Sequence, residues 1–447
     1  MKNKKLLKRI AAPVLGLSLI APTTGLAEHH EATATTPASD LRSTLDQLLS
    51  EHYVLAVNAM VKDYNDAPDE EQAYAALEQN ALDMTPAIES IYGAEGAQQF
   101  EDIFVNHNDY SPDFVEAAKS DDADLRAAAE AEVEEFTQEF GGFLATATEG
   151  NLPEEAAVEV LVAHEQDVIN AFDSYVEGDY EAYFTHFMEG YDRMFDISKA
   201  LSVAIVTQMP DNFEGSTADA PAADLRSTLN NLAAEHFALA VLSMQKGVSG
   251  AEDYDFATWA EDMHTDEFTA AIGSIYGEEG AAQFKQLWTG EHINAQADLV
   301  SATVAGDEEG IAAAKESLSM FTEEFGMFLA TATEGNLPED AAISSLKTHE
   351  DQVVKAFESY VAEDYQTSTD TFREGYAFMF GVGEALGDAI VKQMPDQFAA
   401  DVPADMPNTG LGGAAEQQTP IAVWVAIATA LFAAAGFAVK KNIANQE

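Results

Sequence analysis

The chain carries two copies of one pattern, and that duplication limits the folds open to it more than any other feature. Leu41-Arg42-Ser43-Thr44-Leu45 returns as Leu225-Arg226-Ser227-Thr228-Leu229, and Ser90-Ile91-Tyr92-Gly93 returns as Ser274-Ile275-Tyr276-Gly277, both 184 residues later. One extra residue then enters. The run from Phe143 to Pro153 returns as Phe328 to Pro338 at a spacing of 185, and Gln208-Met209-Pro210 returns as Gln393-Met394-Pro395. Two modules follow, residues 41–213 and 225–398, with a short linker at 214–224 and a flexible leader at 28–40.

Each module reads as helical. Leu41, Leu45, Leu48, His52, Leu55, Ala59 and Met60 share one stripe at the helical period. Gly93 suits a helix C-cap, and residues 97–107 suggest a further helix. Ala127 to Thr146 is strongly helix-forming, Gly150 ends it, and Pro153 fits the first turn of the next helix. Leu161, His164, Val168, Phe172 and Tyr175 line that helix's inner face, and a last helix runs from Asp179 to about Gln208. Period-2 alternation of β-branched residues is essentially absent. The expected fold class is therefore all-α: two tandem antiparallel helical bundles, each able to fold alone, followed by a C-terminal wall-sorting and transmembrane segment.

That last segment is read from the two ends. Residues 1–27 have a basic start, an apolar stretch from Ile10 to Ile20 and small residues before Ala27, the layout of a secretory signal peptide. At the other end a Pro-, Gly- and Ala-rich stalk (399–420) contains Met406-Pro407-Asn408-Thr409-Gly410. The 19-residue apolar run 421–439 follows, then Lys440, Lys441 and a short tail to residue 447. Nineteen apolar residues are enough to span a membrane as a helix, and the lysines would hold its cytoplasmic end. The order of these parts resembles the sorting signal of sortase substrates. The resemblance implies cleavage between Thr409 and Gly410, sortase and peptidoglycan as partners, a membrane-held stage before sorting, and a secreted, wall-anchored protein on a Gram-positive-type cell.

Charge narrows the partners. The chain has 79 acidic and 21 basic residues, a net −58, which repels nucleic acid and favours cations or a basic protein partner. With no cysteine, thiolate ligands, disulfides and thiol chemistry are excluded.

Histidine carries the most chemistry. Six of the ten histidines recur in register: His52 with His236, His107 with His292, and His164 with His349. His52 and His164 lie on apolar stripes, so three inward imidazoles per module are candidate ligands for copper, zinc, iron or haem iron. Met60 and Met244 follow the first histidine by eight residues in each copy, and thioether with imidazole would suit copper(I) or haem. His186 and His264 have no partner in the other copy and are secondary candidates. Glu51, Glu235, Glu165 and Glu350 adjoin paired histidines, but adjacent helical positions do not share a face. They read as outer-face charges, or at most as partners across a helix gap. Paired E-x-x-H motifs, H-E-x-x-H, a phosphate loop and a G-x-S-x-G elbow are all missing. A surface binding or structural module is thus expected rather than an enzyme, with metal or haem binding as the alternative. The E-H-x-x-L-A segments at residues 51–56 and 235–240, with Ile91-Tyr92-Gly93, Asn151-Leu152-Pro153 and His164, also resemble a family of secreted helical repeats of Bacillus-like bacteria, which implies no catalytic role.

Overall fold

The structure, a computed structural model, describes residues 33–399. Every long element among them is a helix. The first repeat contains α1 (Pro37–Tyr64), α2 (Glu70–His107), α3 (Tyr110–Ser120), α4 (Ala123–Ala147), α5 (Glu154–Glu177) and α6 (Tyr180–Gln208). The second contains α7 (Pro221–Ser249), α8 (Tyr254–Leu287), α9 (Asn294–Ala305), α10 (Glu308–Ala332), α11 (Glu339–Val361) and α12 (Tyr365–Gln393). Capping explains several boundaries. Thr36 and Ser39 form a capping box at the start of α1, and Asp122, Asp179, Asp307 and Asp364 accept backbone N–H bonds at four other starts. Gly93 and Gly277 divide α2 and α8 each into two helical stretches across a kink, in keeping with the helix end expected at Gly93, at φ values of 73° and 74° that a side chain would resist.

The repeats do not stand apart. Buried residues of both form one continuous core that includes Tyr53, Phe172 and Tyr191 from the first and Phe237, Phe357 and Tyr376 from the second. The contacts across it are reciprocal. Arg42 reaches Asp224 at 2.5 Å, while its counterpart Arg226 reaches Asp40, the counterpart of Asp224, at 2.6 Å. Lys62 lies over Tyr360 and Lys246 lies over the matching Tyr175. Phe195 stacks on its own counterpart Phe380, and Tyr191 meets its counterpart Tyr376, hydroxyl to hydroxyl, at 3.1 Å. Residue i touching j while j touches i is the mark of a two-fold, self-complementary interface, here written within one chain. Tyr376 also donates to Ser50 at 2.6 Å in the buried seam. Tyr376→Phe removes both contacts and should cost about 1–3 kcal/mol of stability, read as a lower denaturant midpoint.

Several expectations are corrected here. The leader is ordered where described: Ala34 is fully buried and its N–H donates to Asp388, and α1 already begins at Pro37. The linker is packed too, with Ala218 buried and its carbonyl accepting from Arg42. The fold class is all-α, but the wall-sorting and transmembrane part of it is not carried forward. Among the described residues no helix is long and apolar enough to cross a membrane, because charged residues interrupt every long one. The signal peptide (1–27), the sorting motif (Met406, Pro407, Asn408, Thr409, Gly410), the span at 421–439, the tail, His29 and His30 lie outside the described residues.

Candidate metal centre

The extra residue in the second repeat shapes the site. Phe104 and Trp288 match at a spacing of 184, whereas His107 and His292 match at 185. The insertion is absorbed in a single π-helical turn, Trp288–Ile293, between α8 and α9. Because the turn widens there, both Trp288 and His292 keep the inward positions that Phe104 and His107 hold in the first repeat.

In the second repeat three histidines converge from α7, the π-turn and α11. One ring nitrogen from each of His236, His292 and His349 lies within 4.8 Å of the other two. The closest pair is His236 Nε2 and His292 Nε2, at 2.8 Å. All three side chains are essentially sealed from solvent, at 1%, 0% and 3% exposure. Aromatic rings fix them: Trp288 packs on His236 with 4.5 Å between ring centroids, and Phe321 stacks on His292 at 4.4 Å. Nδ1 of His292 is 2.9 Å from Glu350 Oε1 in the buried core. Nδ1 of His349 is buried without a partner.

The first repeat builds the same cluster more loosely. His52 Nε2 and His107 Nε2 are 3.1 Å apart, but the His52 and His164 rings stand 6.1 Å apart against 5.5 Å for His236 and His349. His107 Nδ1 bonds the carbonyl of Phe104, which places its proton there and leaves the Nε2 lone pair toward His52. Nδ1 of both His52 and His164 is buried without a partner.

Burial governs the protonation of these groups. It holds His107 and His349 down at about 4 and His164 at about 3, and it drives His52 and His236 well below the ordinary 6.5. These five imidazoles are therefore neutral at pH 7, the form that binds metal. The adjoining carboxyls differ between repeats. Burial pushes Glu165 up to about 8. For Glu350 burial acts in the same upward direction, but the neighbouring His292 and His349 outweigh it and hold the carboxyl below its usual range.

Of the secondary candidates, His264 is buried 6.0 Å from His236 between ring centroids, and its Nδ1 lies 2.8 Å from Glu235. In the first repeat Asn80 takes the equivalent place and bonds Glu51. His186 is not part of a cluster: it is half-buried and faces Glu189. Met60 and Met244 both pack in the shared apolar core, and Met60 also borders a small cleft beside His52, His107 and His164. The reading of the four glutamates as outer-face charges is overturned, since Glu51, Glu235, Glu165 and Glu350 are all buried. The other expectation, partners across a helix gap, describes Glu235 with His264 and Glu350 with His292. Glu51 instead takes a bidentate ion pair from Arg373 of the other repeat.

Sequence reasoning missed Trp288, whose indole N–H is buried without a partner, and Gln296, which approaches His292 Nε2 at 3.4 Å. The inserted residue was the available signal for the first. Nothing marked the second. Compared with known proteins, the chain matches no family model, no curated protein and no solved structure, so neither resemblance drawn from its sequence gains support there.

Proposed function

We propose that this chain binds a transition-metal ion through His236, His292 and His349. The observation that carries the reading is the convergence of three buried imidazole nitrogens within 4.8 Å. Two nitrogens each about 2.0–2.1 Å from a common ion stand roughly 2.9–3.4 Å apart, depending on the bond angle. The pair at 2.8 Å needs a movement of only a few tenths of an ångström to meet that range. Two lone pairs at that distance repel unless a proton or a cation lies between them. A proton satisfies one pair, while an ion also engages the third ring.

The surroundings favour a cation. Glu350 beside His292 supplies compensating negative charge and fits the pattern of a carboxylate steadying a ligating imidazole. Three neutral nitrogen donors with no thiolate suit copper, zinc, iron or nickel. Haem is not supported. The cavities beside the two clusters hold about 60 and 80 Å³, far below the roughly 300 Å³ at which small-molecule pockets begin. The looser cluster of His52, His107 and His164 is a weaker second site in the same reading, and no catalytic reaction is assigned.

The test is metal uptake by the metal-stripped chain. Titration with copper or zinc followed by elemental analysis should find one tightly held ion per chain and a weaker second equivalent. At a thousandfold excess over Kd the tight site should add about 4 kcal/mol to stability. His349→Ala and His292→Ala should each lose the tight equivalent, and His186→Ala should keep it. An absence of stoichiometric uptake with every ion tried would refute the reading.

A further inference from the structure

The ion's surroundings are not uniform. One side of the His236–His292–His349 cluster borders a partly enclosed cavity of about 60 Å³, and all three histidines belong to its wall. The rest of the wall is apolar, formed chiefly by Phe268, Trp288, Phe321, Phe325, Leu329 and Leu346. The first repeat has the same arrangement. A cavity of about 80 Å³ touches His52, His107 and His164, with Phe136, Phe140 and Leu144 where the second repeat has Phe321, Phe325 and Leu329. A cavity that recurs beside the same three histidines in both copies is a feature of the design, not a chance packing gap.

Volume and polarity limit its occupant. At roughly 30 Å³ for one water's share of liquid, 60 Å³ admits a molecule of two or three heavy atoms. Water needs two to four polar partners, and such a wall offers few, so the space favours a dry or apolar occupant. An anion would lose its hydration without compensation from Phe and Leu side chains. Three protein ligands on a four-coordinate ion leave one position for an outside ligand. Apart from the histidines, the wall residues hold one polar atom without a partner: Trp288 is 6% exposed and its Nε1–H makes no hydrogen bond. The first repeat has Phe104 at that place and offers no such donor.

We propose that the open position of the ion in the second repeat takes a small uncharged diatomic molecule of the carbon monoxide class, held in this apolar cavity, with the Trp288 indole N–H as hydrogen-bond donor to it. The inference rests on the metal-binding reading above and adds the ligand to it. The bound molecule coordinates reversibly, without electron transfer or bond cleavage.

The probe is carbon monoxide on the full chain loaded with copper(I), with copper content measured separately by elemental analysis. One carbon monoxide should bind at the tight site and give an infrared C–O band. Trp288→Phe, which installs the ring type the first repeat already carries, should keep copper and move that band to higher wavenumber as the donor is lost. Leu329→Phe, which fills the cavity, should keep copper and weaken carbon monoxide binding at least tenfold. A full copper equivalent with no carbon monoxide uptake would overturn the inference and leave the metal site standing. So would a band and an affinity indifferent to both substitutions. Failure to hold copper at all would remove the metal reading and this inference together.

Discussion

Gly375→Ala should destabilise the protein by about 4 kcal/mol or more, the largest effect expected of any single added methyl group. A Cβ at this position would lie 2.1 Å from Cζ and 2.5 Å from Cε2 of Phe237. The obstacle is not the tip of a mobile side chain. Phe237 is fully buried and held between Phe372 and His349, each with ring centroids 5.8 Å away. Overpacking a well-packed core typically costs about 1–3 kcal/mol and occasionally more, and this ring has nowhere to go. The better helix propensity of alanine returns only about 1 kcal/mol. Gly190, the matching position, meets Tyr53 at 2.2 Å in the same way, so the close approach of the last helix to the first is built into both repeats.

The same substitution reaches the proposed metal site, because Phe237 directly follows His236 and packs on His349. The Gly375→Ala chain should therefore lose metal uptake along with stability. Adding Phe237→Leu, which removes the ring tip, should recover part of both, a coupling that a double-mutant cycle measures directly. A denaturant midpoint for Gly375→Ala within about 1 kcal/mol of the parent would show that the two helices can separate freely, contrary to the packing described here.

Much of this was legible in the sequence, for particular reasons. The duplication survives as near-identical strings, so the two sets of helices could be matched from Leu41 and Leu225 onward. His52 and His164 stood on apolar stripes and did turn inward. Glu51 and Glu235 were misplaced because α1 and α7 have almost no outer face: α7 buries residues around its circumference, including Arg226, Asn230, Glu235 and Gln245. A helix surrounded on all sides defeats a rule that assigns polar residues to water. The reciprocal seam was invisible for a related reason. Arg42 and Asp224, or Arg226 and Asp40, look like ordinary surface charges until the second copy is placed against the first. The one-residue insertion was visible as a change of spacing, but its meaning was not. Only the π-turn explains how His292 reaches His236 despite the shift.

The metal-free protein should be most stable between about pH 5 and 6.5 and lose stability on both sides. Two sets of buried groups oppose each other. Burial lowers His107, His264 and His349 from 6.5 to about 4 and His164 to about 3, so below 6.5 the unfolded chain binds more protons and stability falls as pH drops. Burial raises Glu165 and Glu261 from 4.5 to about 8, so between those values the folded chain binds more protons and stability falls as pH rises. Asp46, raised from 3.8 to about 6 by burial against the opposing pull of Arg42 and its hydrogen-bond partners, acts in the same direction over the lower part of that range. From 4.5 to 6.5 the two sets offset each other. Below 4.5 the histidines outweigh the carboxyls, of which Asp46 still opposes them down to 3.8, and above 6.5 the carboxyls prevail. At about 1.4 kcal/mol per unit, Glu165 and Glu261 together should remove roughly 4 kcal/mol between pH 6.5 and 8. Self-repulsion of the −58 net charge pushes the same way but is screened by salt, whereas the buried carboxyls are not. Melting curves taken at high salt should therefore retain the alkaline decline, and Glu165→Gln with Glu261→Gln should flatten it. A melting temperature that climbs from pH 6.5 to 8, or a decline that disappears with salt alone, would show that these carboxyls do not stay protonated in the folded core.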